Sequence, residues 1–463
     1  MAMAMAVDGI EGKELAVSVL YPSPAVGGVK GEEGSNNNKC ICVIGNPAYG
    51  DFPLQLFTAE GSVWRKEDLE AASHLIAEDR EYQCLDGTEN LVRHEPFKQL
   101  DFGVRSSSVV FFMDGKRPTF YCLGGCFYEP IRENGLKGDK VISKDVRAFG
   151  FDDDNDQEHE KVPSMKTPRL SPAVVALDGK IYVFGGVHPR DQEQLLPWAE
   201  SLDTTTSAEA KVWTPLASPP CDIWFRGLFA VVVDDGENIF FGSSEEDMKE
   251  NEEGEDGSGR RDRVSSGAIL VGSTLTGICF AYHIREDKWI SLPDSIPFSY
   301  DCSLPVVDGD ILYWVGGNFV AYDLRRRTTL LSGTPIQGLG NFLCYLLWNV
   351  DEWYCRPSLH HLGGHDFCLT WFDWLSFSSC YFTRLHSTVI RVVLPKDGSH
   401  GMEDAFVFVV TSRSYLLPHG FALQQTLLLD GFFCDQKLVK EGVTSEIVCS
   451  FGVCPFVADF QLS

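Results

Sequence analysis

Positive charge is what this chain lacks: 39 Lys and Arg stand against 66 Asp and Glu in 463 residues, a formal net charge of −27. Binding to nucleic acid without regard to sequence needs clustered Lys and Arg facing phosphates, so an exposed nucleic-acid groove is excluded as the default. Anionic membrane surfaces are disfavoured on the same ground. Long apolar runs are missing too. Stretches such as 227–233 are far too short to span a bilayer. The alternating Met1–Ala6 run leads straight into Asp8 and Glu11 and carries no secretory signal. The fifteen cysteines, spread from Cys40 to Cys454, form no even framework of short spacings. Cys122, Cys279 and Cys368 sit inside apolar runs as small buried hydrophobes, and a reducing cytoplasm or nucleus is the expected compartment. Arg325-Arg326-Arg327, the one basic triplet, is weak as an import signal and reads as a solvated strand end or turn. A Gly-x-Ser-x-Gly elbow, a phosphate loop and a Gly-x-Gly-x-x-Gly fingerprint are all absent.

What the chain does have is an internal repeat. An apolar, β-branched run ends in Asp114-Gly115, Asp178-Gly179 and Asp235-Gly236, and in each case an Arg stands nine residues earlier, at Arg105, Arg169 and Arg226. A second apolar run follows each Asp-Gly and closes on Gly124-Gly125, Gly185-Gly186 or Gly242. A fourth copy, Val306-Val-Asp-Gly309 then Ile311–Gly317, keeps the pattern but has Ser299 where the Arg stands. Apolar run, Asp-Gly, apolar run is a hairpin signal, because a type I′ turn needs positive φ. The trailing glycines admit backbone where a side chain would clash. Trp213 and Trp289 mark matching outer strands, with His159 in the degenerate counterpart, and Gly277–Ile284 supplies a third strand.

Four short antiparallel strands per repeat, in series, make an all-β chain and the sequence form of a β-propeller. Hairpin, double glycine, a Tyr or Phe strand and a Trp strand together resemble the kelch family over residues 100–330. The layout with its acidic insertions looks like the kelch-like proteins of flowering plants. Beyond that span, Ser358–Trp371, Thr388–Leu394 and Ala405–Val410 complete another four-stranded unit, while Lys39–Ile44 and Tyr82–Leu85 start a first one. Six blades are expected, with five or seven also open, and the terminal strands share a blade so that no edge is left exposed. Residues 1–38 are expected to be a flexible segment and 39–463 a single propeller, with acidic insertions at 151–162 and 243–266. A helix is expected over Lys66–Glu78. Within the two insertions, Glu245–Asp256 contributes −7 and Asp152–Glu160 contributes −6, so nearly half the net charge belongs to them.

The sharpest functional signal is the register of Arg105, Arg169 and Arg226. The kelch resemblance places it in the loops that lead into innermost strands, where successive blades project Arg towards one mouth of the channel. A ring of guanidinium groups there binds carboxylates bidentately, and kelch proteins that bind acidic peptides use Arg in comparable loops. The other role open to the register is structural, each Arg tying down its own blade through backbone carbonyls or a neighbouring carboxylate. The acidic insertions are candidates to cover the same mouth in the free protein. His360, His361, His365 and Asp366 invite a metal reading, but adjacent histidines on a strand point to opposite faces, and a solvated hairpin tip is expected instead. Cys122, Cys126, Cys449 and Cys454 lack zinc-finger pairing. The aromatic run Thr370–Trp374 reads as packing between blades, with an exposed docking patch as its alternative.

The expectation is therefore a non-catalytic protein-interaction module that recognises a partner peptide or loop, an acidic one in the Arg-ring reading, with no cofactor and no metal. The alternative is a propeller enzyme acting on a small molecule in the central channel. Many plant kelch proteins carry an F-box. Here no Leu-Pro-rich helical segment of that kind precedes the first blade, which argues against direct ligase recruitment and leaves an adaptor role through another protein open.

Overall fold

In the computed structural model, the residues described are 39–47, 55–61, 92–93, 98–99, 107–114, 117–128, 140–150, 162–187, 196–207, 210–220, 227–234, 236–241, 267–299, 302–339, 357–377, 380–393, 406–417 and 421–429. They are almost entirely antiparallel β-structure. Five sheets have four or more strands and a sixth has three, within the range of five to seven blades set by the sequence. The expected helix at 66–78 and the strand at 82–85 lie outside the described residues.

The innermost strands are Ser108–Asp114, Ala173–Leu177, Leu228–Val233, Val306–Asp308, Ser358–Gly363 and Phe421–Leu429, which belong to sheets 2, 3, 4, 5, 6 and 1 respectively. Each lies beside the next, and the last returns to the first, so the sheets form a ring. Closure comes from the two ends of the chain: Phe421–Leu429 pairs with Lys39–Pro47, which pairs with Gln55–Gly61. The N- and C-terminal strands thus share one sheet, which closes the ring.

Sheet 3 shows how the sequence specifies one unit. Ala173–Leu177 pairs in register with Lys180–Phe184, and the chain reverses at Asp178 and Gly179, whose φ angles of 49° and 72° are those of a type I′ turn. Ala199–Asp203 and Trp213–Pro215 complete the four strands. The fourth repeat forms the same hairpin from Val306–Asp308 and Ile311–Val315 around Gly309.

Strand Lys180–Phe184 is buried on both faces because a neighbouring sheet lies on each side. Ile181 and Val183 pack with Tyr121, Leu123 and Ala148 of sheet 2, whereas Tyr182 and Phe184 pack with Ile269, Val271 and Phe280 of sheet 4. The same alternation divides Leu312 and Trp314 from Tyr313 and Val315 in sheet 5. Side chains two apart share a face, so a fully apolar run here means burial between two sheets.

Sheet 4 corrects the third hairpin. Of the segment 238–242 expected as its second strand, Asn238–Phe241 lies in a π-helical turn, Glu237–Phe241. Leu228–Val233 pairs instead with Ala268–Ser273, on the far side of the acidic insertion. Ala268, Ile269, Leu270 and Val271 are all fully buried, so this run fills the position between two cores better than Asn238–Phe241. Cys279–His283 and Lys288–Ser291 then supply the third and fourth strands as expected.

Sheet 6 is the longest, with strands Ser358–Gly363, Asp366–Phe377, Cys380–Val393 and Phe406–Leu417. Two short pieces lie parallel to its last strand: Ile336–Gln337 beside Val407 and Phe408, and Val92–Arg93 beside Tyr415 and Leu416. Among the described residues, no helix is long and apolar enough to cross a membrane.

Candidate functional site

The ring has two ends. At one lie the Asp-Gly turns; at the other lie the double glycines and the chain entering each innermost strand, which we term the Arg end. Of the three register residues, Arg169 is described, and Arg105 and Arg226 lie outside the described residues.

Arg169 sits at the seam between sheets 2 and 3, its side chain wholly buried. Its Nη1 donates to the carbonyls of Gly185 at 2.5 Å and Trp198 at 2.7 Å, and its Nη2 to the carbonyl of Pro197 at 2.9 Å and to Glu200 Oε1 at 2.8 Å. Its own carbonyl accepts the amide of Gly125 at 2.7 Å, and its amide donates to Ser143 at 3.1 Å. One residue therefore holds its own double glycine by side chain and the preceding sheet's double glycine by backbone. Burial pulls the guanidinium below its ordinary pKa, and the facing Glu200 carboxylate opposes that pull.

Glu200 was not singled out by sequence reasoning. It is buried on strand Ala199–Asp203, and besides Arg169 it accepts the amides of Lys166 at 2.7 Å and Thr167 at 3.1 Å. The carboxylate thus neutralises the cation and fixes the segment that leads into the innermost strand. The strand reads Ala-Glu-Ser-Leu-Asp, so no local pattern sets Glu200 apart in the sequence. At Arg169 the guanidinium faces inward, so it takes the blade-tying role among the two open to the register.

Gly124 shows why glycine is required at this seam. Its φ is 62°, and a Cβ there would stand 2.5 Å from the Arg169 carbonyl oxygen. In the fourth repeat Ser299 lies against Gly316, the smaller substitute at the same register position.

The outer strands are tied in a repeating way. Trp213 Nε1 donates to the Pro163 carbonyl at 2.7 Å, and Trp289 Nε1 to the Ala217 carbonyl at 2.8 Å. Each acceptor lies in the linker that enters or leaves sheet 3, so the two indoles brace neighbouring sheets against the same unit.

The acidic insertions depart from the other end. The described flanks of the 243–266 segment are the turn at Glu237–Phe241 and the start of Ala268–Ser273, beside the end of Leu228–Val233. Phe241 packs edge-on to His283 at 4.6 Å and beneath Lys288, which directs that flank towards the outer strands of sheet 4. The 151–162 segment follows Val146–Gly150, whose last residue pairs with Thr119 at the Asp-Gly end of sheet 2.

The histidine cluster is a hairpin tip. His361 contacts the Gly364 carbonyl at 3.0 Å and the ring of Phe367, while Asp366 is held bidentately by Arg391 at 2.6 Å. Burial pushes His360 down to about 4. No grouping of three metal-binding side chains occurs among the described residues. Burial raises the thiols of Cys122 and Cys368 to about 11, and that of Cys279 also rises, so none is a poised nucleophile. Trp371, from the aromatic run, is a core residue stacked on His386 at 4.9 Å.

Comparison with known proteins agrees with this geometry. The kelch motif model matches residues 168–220, which run from Arg169 through the whole of sheet 3. A putative F-box/kelch-repeat protein of Arabidopsis thaliana is 32% identical over 209 residues, covering 45% of this chain and 56% of that protein. The chain thus spans a little over half the length of that relative. The chain is a β-propeller that carries a kelch motif at 168–220 and resembles plant kelch-repeat proteins.

Proposed function

We propose that the chain is a non-catalytic protein-interaction module that recognises a partner peptide or loop at the Arg-end mouth of the channel. Kelch repeats generally mediate protein–protein interaction, and the closed ring of sheets supplies a rigid platform whose loops carry recognition. The observation that carries the reading is the placement of the loops. The linkers into the innermost strands meet at one end, and the flanks of both acidic insertions lie at the other. In this reading Arg105 and Arg226 bind partner carboxylates, which makes an acidic peptide segment the preferred ligand. Arg169 acts through the backbone it holds. The Arabidopsis relative is an F-box/kelch-repeat protein by name, and a role for this propeller in presenting a bound partner to a further protein is part of the same proposal.

The test is affinity capture from extracts with the intact chain and with Arg105→Ala and Arg226→Ala variants. The reading expects one partner that is retained by the parent and lost from the variants, with unchanged thermal midpoints. A partner captured equally by all three, or turnover of a small molecule by the purified chain, counts against it.

A further inference from the structure

The Asp-Gly step that makes the hairpin turns is also a chemically reactive sequence. Glycine has no Cβ to shield its amide nitrogen, so that nitrogen can reach the carboxyl carbon of the preceding Asp and close a five-membered ring. Whether a turn reacts depends on how firmly it is held, and the described turns differ in this respect. In sheet 3 the loop is Asp178 and Gly179, between the paired Leu177 and Lys180. The Gly179 carbonyl accepts the Thr204 amide at 2.9 Å and the Thr204 hydroxyl at 2.8 Å, and a Cβ on Gly179 would stand 2.5 Å from the Thr205 methyl carbon. Thr205 is itself fixed, its amide and hydroxyl both donating to Asp203. In sheet 4 a Cβ on Gly236 would lie 2.6 Å from that of Ala268, so the second strand walls this glycine in. Sheet 5 is different. A Cβ on Gly309 would meet nothing within 4 Å, and the Asp308 side chain is 45% exposed. Asp308 closes a ladder only three residues long, opposite Ile311, and ladder ends open first. Its Oδ2 stands 3.6 Å from Nε2 of His361, on the innermost strand of sheet 6.

We infer that Asp308-Gly309 is a site of spontaneous isomerisation, more reactive than the turns at Gly179 and Gly236. The Gly309 nitrogen attacks Asp308 Cγ. The N–Cγ bond forms, the carboxyl C–O bond breaks, and the departing hydroxyl takes the amide proton away as water. Water then adds to the succinimide. Addition at Cγ restores Asp308, whereas addition at the former main-chain carbonyl leaves an isoaspartyl link, with the chain running through Cβ and Cγ. One water is lost and one regained, so nothing is oxidised or reduced and no other reactant is needed. The product carries an extra methylene in the main chain of a tight loop, which the Asp308–Ile311 pair and the 59° φ of Gly309 do not accommodate. Its carboxylate sits directly on Cα and draws back from His361, so the contact between the innermost strands of sheets 5 and 6 is lost. The site lies at the end of the channel opposite the Arg end, and the inference stands apart from the partner-binding reading.

The test holds the intact chain at neutral pH in water enriched in heavy oxygen and maps its peptides by mass spectrometry with electron-transfer fragmentation. Each passage through the succinimide leaves a heavy oxygen at the site, and the isoaspartyl form gives its own backbone fragments. The inference expects label and isoaspartate at Asp308 to accumulate at least about tenfold faster than at Asp178 or Asp235. In denaturant the three sites should react at similar rates. Asp308→Glu should abolish the labelling, because closure would then need a larger ring, and should leave the thermal midpoint unchanged. Thr204→Val with Thr205→Ser should speed the reaction at Asp178. Equal rates at Asp178 and Asp308 in the folded chain overturn the inference. So does a difference that persists in denaturant, which would trace it to the neighbouring residues in sequence. A folded chain that gains no label at Asp308, while the denatured chain does, overturns it as well.

Discussion

Arg169 and Glu200 meet at 2.8 Å with neither side chain exposed, and between them they anchor backbone from sheets 2 and 3. Such a pair pays heavily in lost hydration, so it contributes chiefly by forcing one arrangement of the seam. Removing one partner strands the other. Arg169→Ala and Glu200→Gln are each expected to destabilise the fold by about 3–5 kcal/mol in denaturant unfolding. Replacing both by apolar residues, Arg169→Met with Glu200→Leu, should cost less than either single change.

Glycine requirements at two turns separate strain from collision. Gly309→Ala meets nothing within 4 Å at a φ of 59°, and should cost about 1–2 kcal/mol from backbone strain alone. Gly124→Ala carries the same strain and drives a Cβ against the Arg169 carbonyl, so its unfolding midpoint should fall clearly further.

Acid should weaken the protein through His360. Burial holds its folded-state pKa at about 4, below the value of the unfolded chain, so between the two the unfolded state binds more protons. Stability is then fully present above about pH 6.5 and is lost as pH falls towards about 4. His360→Gln should flatten that slope in pH-dependent unfolding, and an NMR titration should show the His360 ring neutral at pH 5.

Indole hydrogen bonds brace sheet 3 from both sides. Trp213→Phe and Trp289→Phe keep an aromatic ring but release the Pro163 and Ala217 carbonyls. Each should cost about 1–2 kcal/mol, the range for a hydrogen bond lost with an acceptor left behind.

Most of this architecture was legible where local chemistry and tertiary packing agree. Asp178-Gly179 predicts a type I′ turn and forms one, and the shared terminal sheet follows from the need to close an edge. The third repeat misled because Asp235-Gly236 carries the same signal as its neighbours. The strand was awarded instead to Ala268–Ser273, whose apolar run lies beyond an acidic insertion and competes only once sheets 3 and 5 are in place. The Arg register was visible, but which way Arg169 turns depends on Glu200, 31 residues away in sequence and on another strand. No spacing rule reaches that pair.

Whether recognition happens at the Arg end is decided most directly by hydrogen–deuterium exchange on the intact chain, with and without its captured partner. The account predicts slowed exchange in the linkers into the innermost strands, around 163–172 and 302–305. Protection confined to the Asp-Gly turns, at 178–179 and 308–310, would contradict it.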